Sequence, residues 1–278
     1  MECSHWNERH SGAWLRQRRK FPLNPAKSTS GVGQTAERPA LVTRSNSPLV
    51  PRALSPLAVA VGVTAVVTAL SYGLPDAYQA TGVGLAFLLA TYFLVLRHDS
   101  ATVHRHGLAL GGLFDSEPLA PARLASEGAR ALAWALGVAL VVLPPFWIGW
   151  VHFWKPASSF RPAGLATLAD DALGQWLVIA LPEEAFYRGY LQSALDEVWR
   201  PRLRVLGAEL GPSLLVTSAL FALGHLATEL EANRLAVFFP ALLFGWLRAR
   251  TGGVGASIAL HALCNLFASY LARSYGLG

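Results

Sequence analysis

The run Leu181-Pro182-Glu183-Glu184-Ala185-Phe186-Tyr187-Arg188 sets two carboxylates and a guanidinium inside an otherwise apolar stretch. Successive residues of an α-helix point about 100° apart, so Glu183 and Glu184 face different neighbours. Glu184 and Arg188 stand four apart, share a face and can pair. That leaves Glu183 free to face a cavity, where a carboxylate can serve as a general base. Pro182 has no N–H for the carbonyl of Val178, so a kink is expected just before the acids. The competing reading is a helix that stops near Glu183 and leaves both acids in interfacial water.

Two further stretches carry polar groups of the same kind. Phe221-Ala222-Leu223-Gly224-His225 places an imidazole in an apolar helix, and Gly224 beside it permits close approach of another backbone or a substrate. By itself His225 reads more readily as a hydrogen-bonded packing residue than as a catalyst. His261-Ala262-Leu263-Cys264-Asn265 puts His261 and Asn265 on one helix face, as hydrogen-bond donors to a common oxygen or as a clamp between helices. Taken together the groups contain the parts of a hydrolytic centre. A carboxylate and an imidazole can hold and deprotonate water, and a second imidazole with an amide can stabilise an oxyanion. Glu183, His225 and His261 would also suit zinc with water in the open position.

The elements that must position these groups are membrane helices. Just over half of the 278 residues are hydrophobic and 14% are charged, against about 25% in an ordinary soluble domain. From Pro56 onward, apolar runs alternate with short polar joints. An all-α, polytopic bundle of about seven spans is expected, near 56–74, 78–96, 130–151, 172–194, 212–230, 234–250 and 254–273. With the N-terminus inside, the tail, Arg97, Arg105, Arg123, Arg130, Arg200, Arg202, Arg204, Arg248 and Arg250 fall on the cytoplasmic side. Lys155, Arg161, Arg234 and Arg273 fall opposite. This is the asymmetry of the positive-inside rule. An ion at a helix centre costs about 2.5–3.5 kcal/mol on insertion scales, so Glu183, Glu184 and Arg188 are expected to face the bundle interior.

The net charge of +6 belongs to residues 1–55, with nine Lys/Arg and three Asp/Glu, and not to a nucleic-acid-binding face. This basic tail reads as a disordered cytoplasmic segment, with anionic lipid headgroups as an alternative partner. Its composition also suits an organellar transit peptide or a start codon set too far upstream. Residues 56–278 form the membrane domain. His98, His104 and His106 lie in the longest joint, which reads as a solvated or interfacial loop before a metal site, with an interfacial helix over Pro118–Arg130. Trp147, Trp150 and Trp154 form a candidate aromatic belt. Cys3 and Cys264 have neither disulfide nor metal-site spacing.

Glu183-Glu184-x-x-x-Arg188, Phe221-x-x-x-His225 and His261-x-x-x-Asn265, in this order, resemble the three motifs of the CAAX protease and bacteriocin-processing (Abi) family, which includes the type II CAAX prenyl endopeptidases. The run Phe239–Gly253 is similar to the stretch before that family's last motif. The likeness covers about 171–273. It implies an intramembrane protease with a cavity inside a helical bundle. Glu183 and His225 would activate water, His261 and Asn265 would form the oxyanion site, and Glu184 and Arg188 would support it. The resemblance favours a glutamate-type enzyme without catalytic metal, zinc being the alternative.

The implied substrate is a membrane-anchored protein or peptide, cut as a CAAX-type end or a bacterial C-terminal tag, in a bacterial inner membrane. Two other functions use the same residues. Cys264 with Arg188 and His225 would make a cysteine transpeptidase of exosortase type. A non-catalytic immunity factor, transporter or scaffold would use the buried ions as a proton relay or packing device.

Overall fold

The computed structural model describes residues 49–114 and 118–277, so most of the basic tail lies outside the described residues. The chain is mostly helical. Helix α1 (Leu49–Gly73) begins ahead of Pro56, where the first span was expected, and carries that proline inside it. Helix α2 (Asp76–Thr91) continues through a π turn at Tyr92–Leu96. A short α3 (Ser100–Arg105) follows, capped by the Asp99 carboxylate, which accepts a 2.9 Å bond from the Thr102 N–H. The expected interfacial helix is not separate: it is the first part of α4 (Pro121–Trp154), one uninterrupted helix.

The acid-bearing stretch lies in a continuous helical run: α5 (Leu165–Leu173), a π segment (Gly174–Ala180), α6 (Leu181–Glu184), a second π segment (Ala185–Gln192) and α7 (Ser193–Val198). It does not stop at Glu183. π turns inside helices are rare and concentrate at functional sites. They flank Pro182 on both sides. The carbonyl of Val178, to which Pro182 has no N–H to give, is approached by α2. A Cβ on Gly84 would stand 2.3 Å from that oxygen, so only glycine fits there.

The all-α expectation needs one correction. The joint after α7 is a hairpin of β1 (Leu203–Val205) and β2 (Ala208–Leu210). Its two turn residues, Leu206 and Gly207, both have positive φ, the conformation of the tight turn that matches strand twist. Helix α8 (Pro212–Thr228), a 3₁₀ turn (Ala232–Val237), α9 (Phe238–Thr251) and α10 (Gly255–Ser274) complete the chain.

Four helices among the described residues are long and apolar enough to cross a bilayer: Ser55–Gly73, Asp76–Leu96, Pro121–Trp154 and Gly255–Ser274. The expected count of seven is not reached on that criterion. Helix α8 is apolar but shorter, α9 has 14 residues where about 20 are needed, and the α5–α7 run carries its buried ions. The apolar surface of α4 faces outward, with Leu140, Val141 and Ile148 each more than 70% exposed. Outward apolar faces of this extent are lipid-facing, and the protein is an integral membrane protein.

Two apolar clusters hold the bundle. One joins α1, α2, the π segments and α8 through Phe87, Phe186, Tyr187, Leu191 and Phe221. The other joins α4, α9 and α10 through Ala135, Phe244, Leu247 and Leu260. The polar residues of the three motifs sit along the seam between them. Trp147, Trp150 and Trp154 are only partly a lipid-facing belt. Trp150 is buried and stacks on Tyr275, and the Trp147 indole N–H donates to the Tyr275 hydroxyl at 3.2 Å. These rings tie α4 to the end of α10.

Candidate active site

Glu184 and Arg188 are both fully buried. Arg188 Nη1 donates to Glu184 Oε1 at 2.9 Å, the pairing expected from their spacing. Arg188 Nη2 donates to the Ala241 carbonyl of α9 at 3.1 Å. One helical turn further along both helices, the Gln192 amide donates to the Gly245 carbonyl at 3.1 Å. These two bonds fasten the acid-bearing run to α9. The guanidinium also lies against the faces of Phe221, at 4.5 Å, and Phe244, at 5.3 Å. A buried ion pair is favoured when its remaining hydrogen-bonding capacity is served; here a carbonyl and two rings serve part of it, while Glu184 Oε2 and Arg188 Nε have no hydrogen-bond partner among the described residues.

The same Glu184 oxygen receives a second group: His261 Nδ1 lies 3.0 Å from Oε1. A carboxylate paired with arginine can only accept, so His261 carries its proton on Nδ1. Its Nε2 lone pair then points away, toward Glu183 Oε2 at 3.8 Å. Phe244 stacks on the ring at 4.9 Å and fixes its plane.

His225 is oriented by the same logic on another helix. Its Nδ1 lies 3.0 Å from the carbonyl of Phe221, one turn earlier, and a carbonyl can only accept. Nε2 is therefore the lone-pair nitrogen, and it faces Glu183 Oε2 at 4.0 Å. Glu183 Oε2 is buried and accepts no hydrogen bond from another group among the described residues. Three basic atoms from α6, α8 and α10 thus converge without touching. A water with two hydrogen bonds of about 2.8 Å spans about 4–4.5 Å between its acceptors. The Glu183–His225 separation of 4.0 Å lies at the short end of that span, and the Glu183–His261 separation of 3.8 Å just below it.

Glu183 and His225 line a cavity of about 330 Å³ whose other walls include Thr64, Ser71, Gln79, Tyr187, Gly224 and Thr228. The close approach expected beside Gly224 is made by the Tyr187 side chain: a Cβ there would meet its hydroxyl at 3.0 Å. Sequence reading passed over Tyr187, although it stands four residues after Glu183 and shares its face. A larger cavity of about 630 Å³ lies by the α9–α10 turn and the start of α4, and none of the motif residues lines it. Of the motif residues, Glu183, Gly224 and His225 line the smaller one, and His261 and Asn265 line neither.

Asn265 is brought near the seam but is not left free. Its Nδ2 donates to Gln175 Oε1 in the first π segment at 2.9 Å. Gln175 was not singled out from the sequence, since a glutamine near a helix start has many ordinary uses. Cys264 packs on the rim of the apolar cluster of α4, α9 and α10. It shares no hydrogen bond with Arg188 or His225 among the described residues, so the cysteine constellation is not assembled.

The set also answers the zinc expectation. Ligand atoms on a tetrahedral zinc with bonds of about 2.0–2.1 Å lie about 3.3–3.4 Å apart. The separations here are wider, and no group of three or more His, Cys, Asp or Glu among the described residues is arranged to hold a metal ion. In the long joint, His106 stacks flat on Tyr190 and bonds the Thr102 carbonyl at 2.9 Å, which makes it a packing residue.

Fold and site define a helical integral membrane protein with a carboxylate–imidazole centre buried between its helices. Residues 165–267 match the family model described as Type II CAAX prenyl endopeptidase Rce1-like. The part of the chain that bears the site is therefore similar to the CAAX protease and Abi-like family. No curated protein and no solved structure matches the chain.

Proposed function

We propose that this protein is a glutamate-type intramembrane endopeptidase that hydrolyses a peptide bond of a membrane-anchored protein or peptide. The observation that carries the reading is Glu183 Oε2, unpartnered at a cavity wall, 4.0 Å from His225 Nε2 and 3.8 Å from His261 Nε2. Water bridging Glu183 and His225 loses a proton to this pair as its oxygen attacks the scissile carbonyl. The proton is then delivered to the leaving amine as the C–N bond breaks.

His261 and Asn265 form the oxyanion side of the site in this reading. His261 has a lone pair on Nε2 at rest, so it donates to the oxyanion only after taking, by way of Glu183, the proton released by the water, and it returns that proton by the same route to the leaving amine. The Glu184 carboxylate at its Nδ1 stabilises the imidazolium so formed. Asn265 gives one N–H to Gln175 and has a second to offer. Arg188 holds Glu184 in place.

The α5–α7 run, α8 and α9 complete a bundle of seven spans with the N-terminus inside, in a bacterial inner membrane. Support comes from the charge asymmetry. The basic tail and the membrane domain from residue 56 are separate units of function.

Glu183→Gln tests the mechanism, because it keeps the shape and removes the base. Cleavage of an identified substrate in membranes should fall by about 10²–10⁴-fold, with thermal stability unchanged. A variant that still cleaves at the wild-type rate would falsify the proposal and leave a transporter, scaffold or immunity role.

A further inference from the structure

The described joints sort to two ends of the bundle, and each end is tied together by its own bonds. At one end Arg248 donates to the Arg105 carbonyl at 3.0 Å, the Val254 N–H to the Gly107 carbonyl at 3.0 Å, and the Trp246 indole to the Val205 carbonyl at 3.0 Å. This end collects nine arginines, from Arg97 to Arg130, Arg200 to Arg204, and Arg248 with Arg250. At the other end the Arg161 N–H donates to the Ser274 carbonyl at 2.8 Å, and Arg273 pairs with Asp171 at 2.5 Å. This end holds four basic residues, Lys155, Arg161, Arg234 and Arg273, and two of its acids, Asp171 and Glu229, are paired with Arg273 and Arg234.

The cavity that contains Glu183 and His225 belongs to the second end. Its outer walls are Ser71 in the last turn of α1, Gln79 in the first turn of α2, and Thr228 with Glu229 where α8 stops. His225 stands within one turn of the end of α8. None of the arginine-rich turns contributes to its lining. Under the positive-inside rule the arginine-rich end is cytoplasmic, and the cavity therefore faces away from the cytoplasm.

We infer that the segment cut at this site is presented from the non-cytoplasmic side: the substrate is a protein whose soluble part lies outside the cytoplasm and whose apolar anchor lies in the bilayer. This rests on the endopeptidase reading above and narrows it. The wall chemistry suits such a segment. Ser71, Gln79 and Thr228 direct their donors to the Val67, Leu74 and His225 carbonyls, and their oxygens can accept from the N–H groups of an extended backbone, while Val83 and Phe87 offer apolar surface. About 330 Å³ lies at the lower end of the range for ligand pockets, which fits a short stretch of chain rather than a folded domain.

Two measurements on the full-length protein test this. In a Cys3→Ser, Cys264→Ala background, Ser71→Cys and Arg200→Cys are each exposed to a membrane-impermeant maleimide in intact spheroplasts. Ser71→Cys should label before lysis and Arg200→Cys only after it; the reverse pattern overturns the inference. Membrane proteomes of wild type and Glu183→Gln are then compared. Proteins that keep an extra segment in the variant should have their cleavage points on the non-cytoplasmic side, and cytoplasmic cleavage points overturn the inference. No difference between the proteomes overturns the endopeptidase reading itself, and with it the substrate assignment. The labelling pair still decides the side on which the cavity opens.

Discussion

The Glu184–Arg188 pair should be the most expensive polar interaction in the bundle to break from one side. Both side chains are fully buried, and among the described residues their 2.9 Å bond is the only ion pair either makes besides the His261 contact. Glu184→Gln keeps an oxygen for His261 and Arg188 but leaves a buried guanidinium without a counter-charge. Arg188→Met leaves a buried carboxylate and also strips the Ala241 carbonyl of its donor. Breaking such a pair costs about 3–5 kcal/mol. At about 2–4 °C per kcal/mol for a protein of this size, each single variant should unfold roughly 6–20 °C below wild type. The double variant removes both charges. It retains only the loss of the Ala241 bond, about 1 kcal/mol, and of the guanidinium–ring contacts, up to about 2 kcal/mol. It should therefore be more stable than either single variant, with a coupling of several kcal/mol. Thermal unfolding in detergent micelles, followed by tryptophan fluorescence, measures all three. Single variants that lose less than about 1 kcal/mol, or a double variant whose loss equals their sum, would refute the buried-pair argument.

Asn265→Ala and Gln175→Ala should each cost about 1 kcal/mol of stability, and the double variant no more than one of them, because they share a single bond. Cys264→Ala should leave processing unchanged, and so should a chelator; activity lost on chelation and restored by zinc would contradict the wide spacing of Glu183, His225 and His261. His106 should make the 97–120 joint acid-sensitive. Burial pushes its pKa below the usual histidine value, and the bond to the Thr102 carbonyl opposes this only in part. The unfolded joint then takes the proton first. Stability is complete above about pH 6.5 and falls as pH drops from there toward the lowered folded value. Hydrogen exchange at Val103–Gly107, corrected for intrinsic rates, should quicken between pH 7 and pH 5 in wild type and not in His106→Gln.

Much of the site was legible because membrane burial leaves few reasons for a charge. Once Glu183, Glu184, Arg188, His225 and His261 stood in apolar runs, helical spacing alone assigned Arg188 to Glu184, and the structure has that bond. The helix boundaries followed from the same apolar runs to within a few residues for α2, α8 and α10. What failed was local geometry that depends on non-local neighbours. Pro182 announced a disturbed helix. Its form, π turns on both sides with Gly84 of α2 lying against the Val178 carbonyl, required knowing which helix packs there. The merging of the Pro118–Arg130 segment into α4 was hidden because Arg123, Glu127 and Arg130 read as interfacial whether or not the helix continues. The hairpin after α7 was signalled only by Gly207, too little to separate a turn between strands from a plain loop.

The imidazoles show the limit most clearly. From the sequence, His225 and His261 differ only in motif. In the structure the difference is what each Nδ1 meets. A backbone carbonyl aims His225, whereas an arginine-anchored carboxylate orients His261. Two residues of one type thus acquire different chemistry from partners 4 and 77 positions away along the chain. The nearer partner is fixed by helical spacing alone. The farther one exists only once α10 has packed against the acid-bearing run.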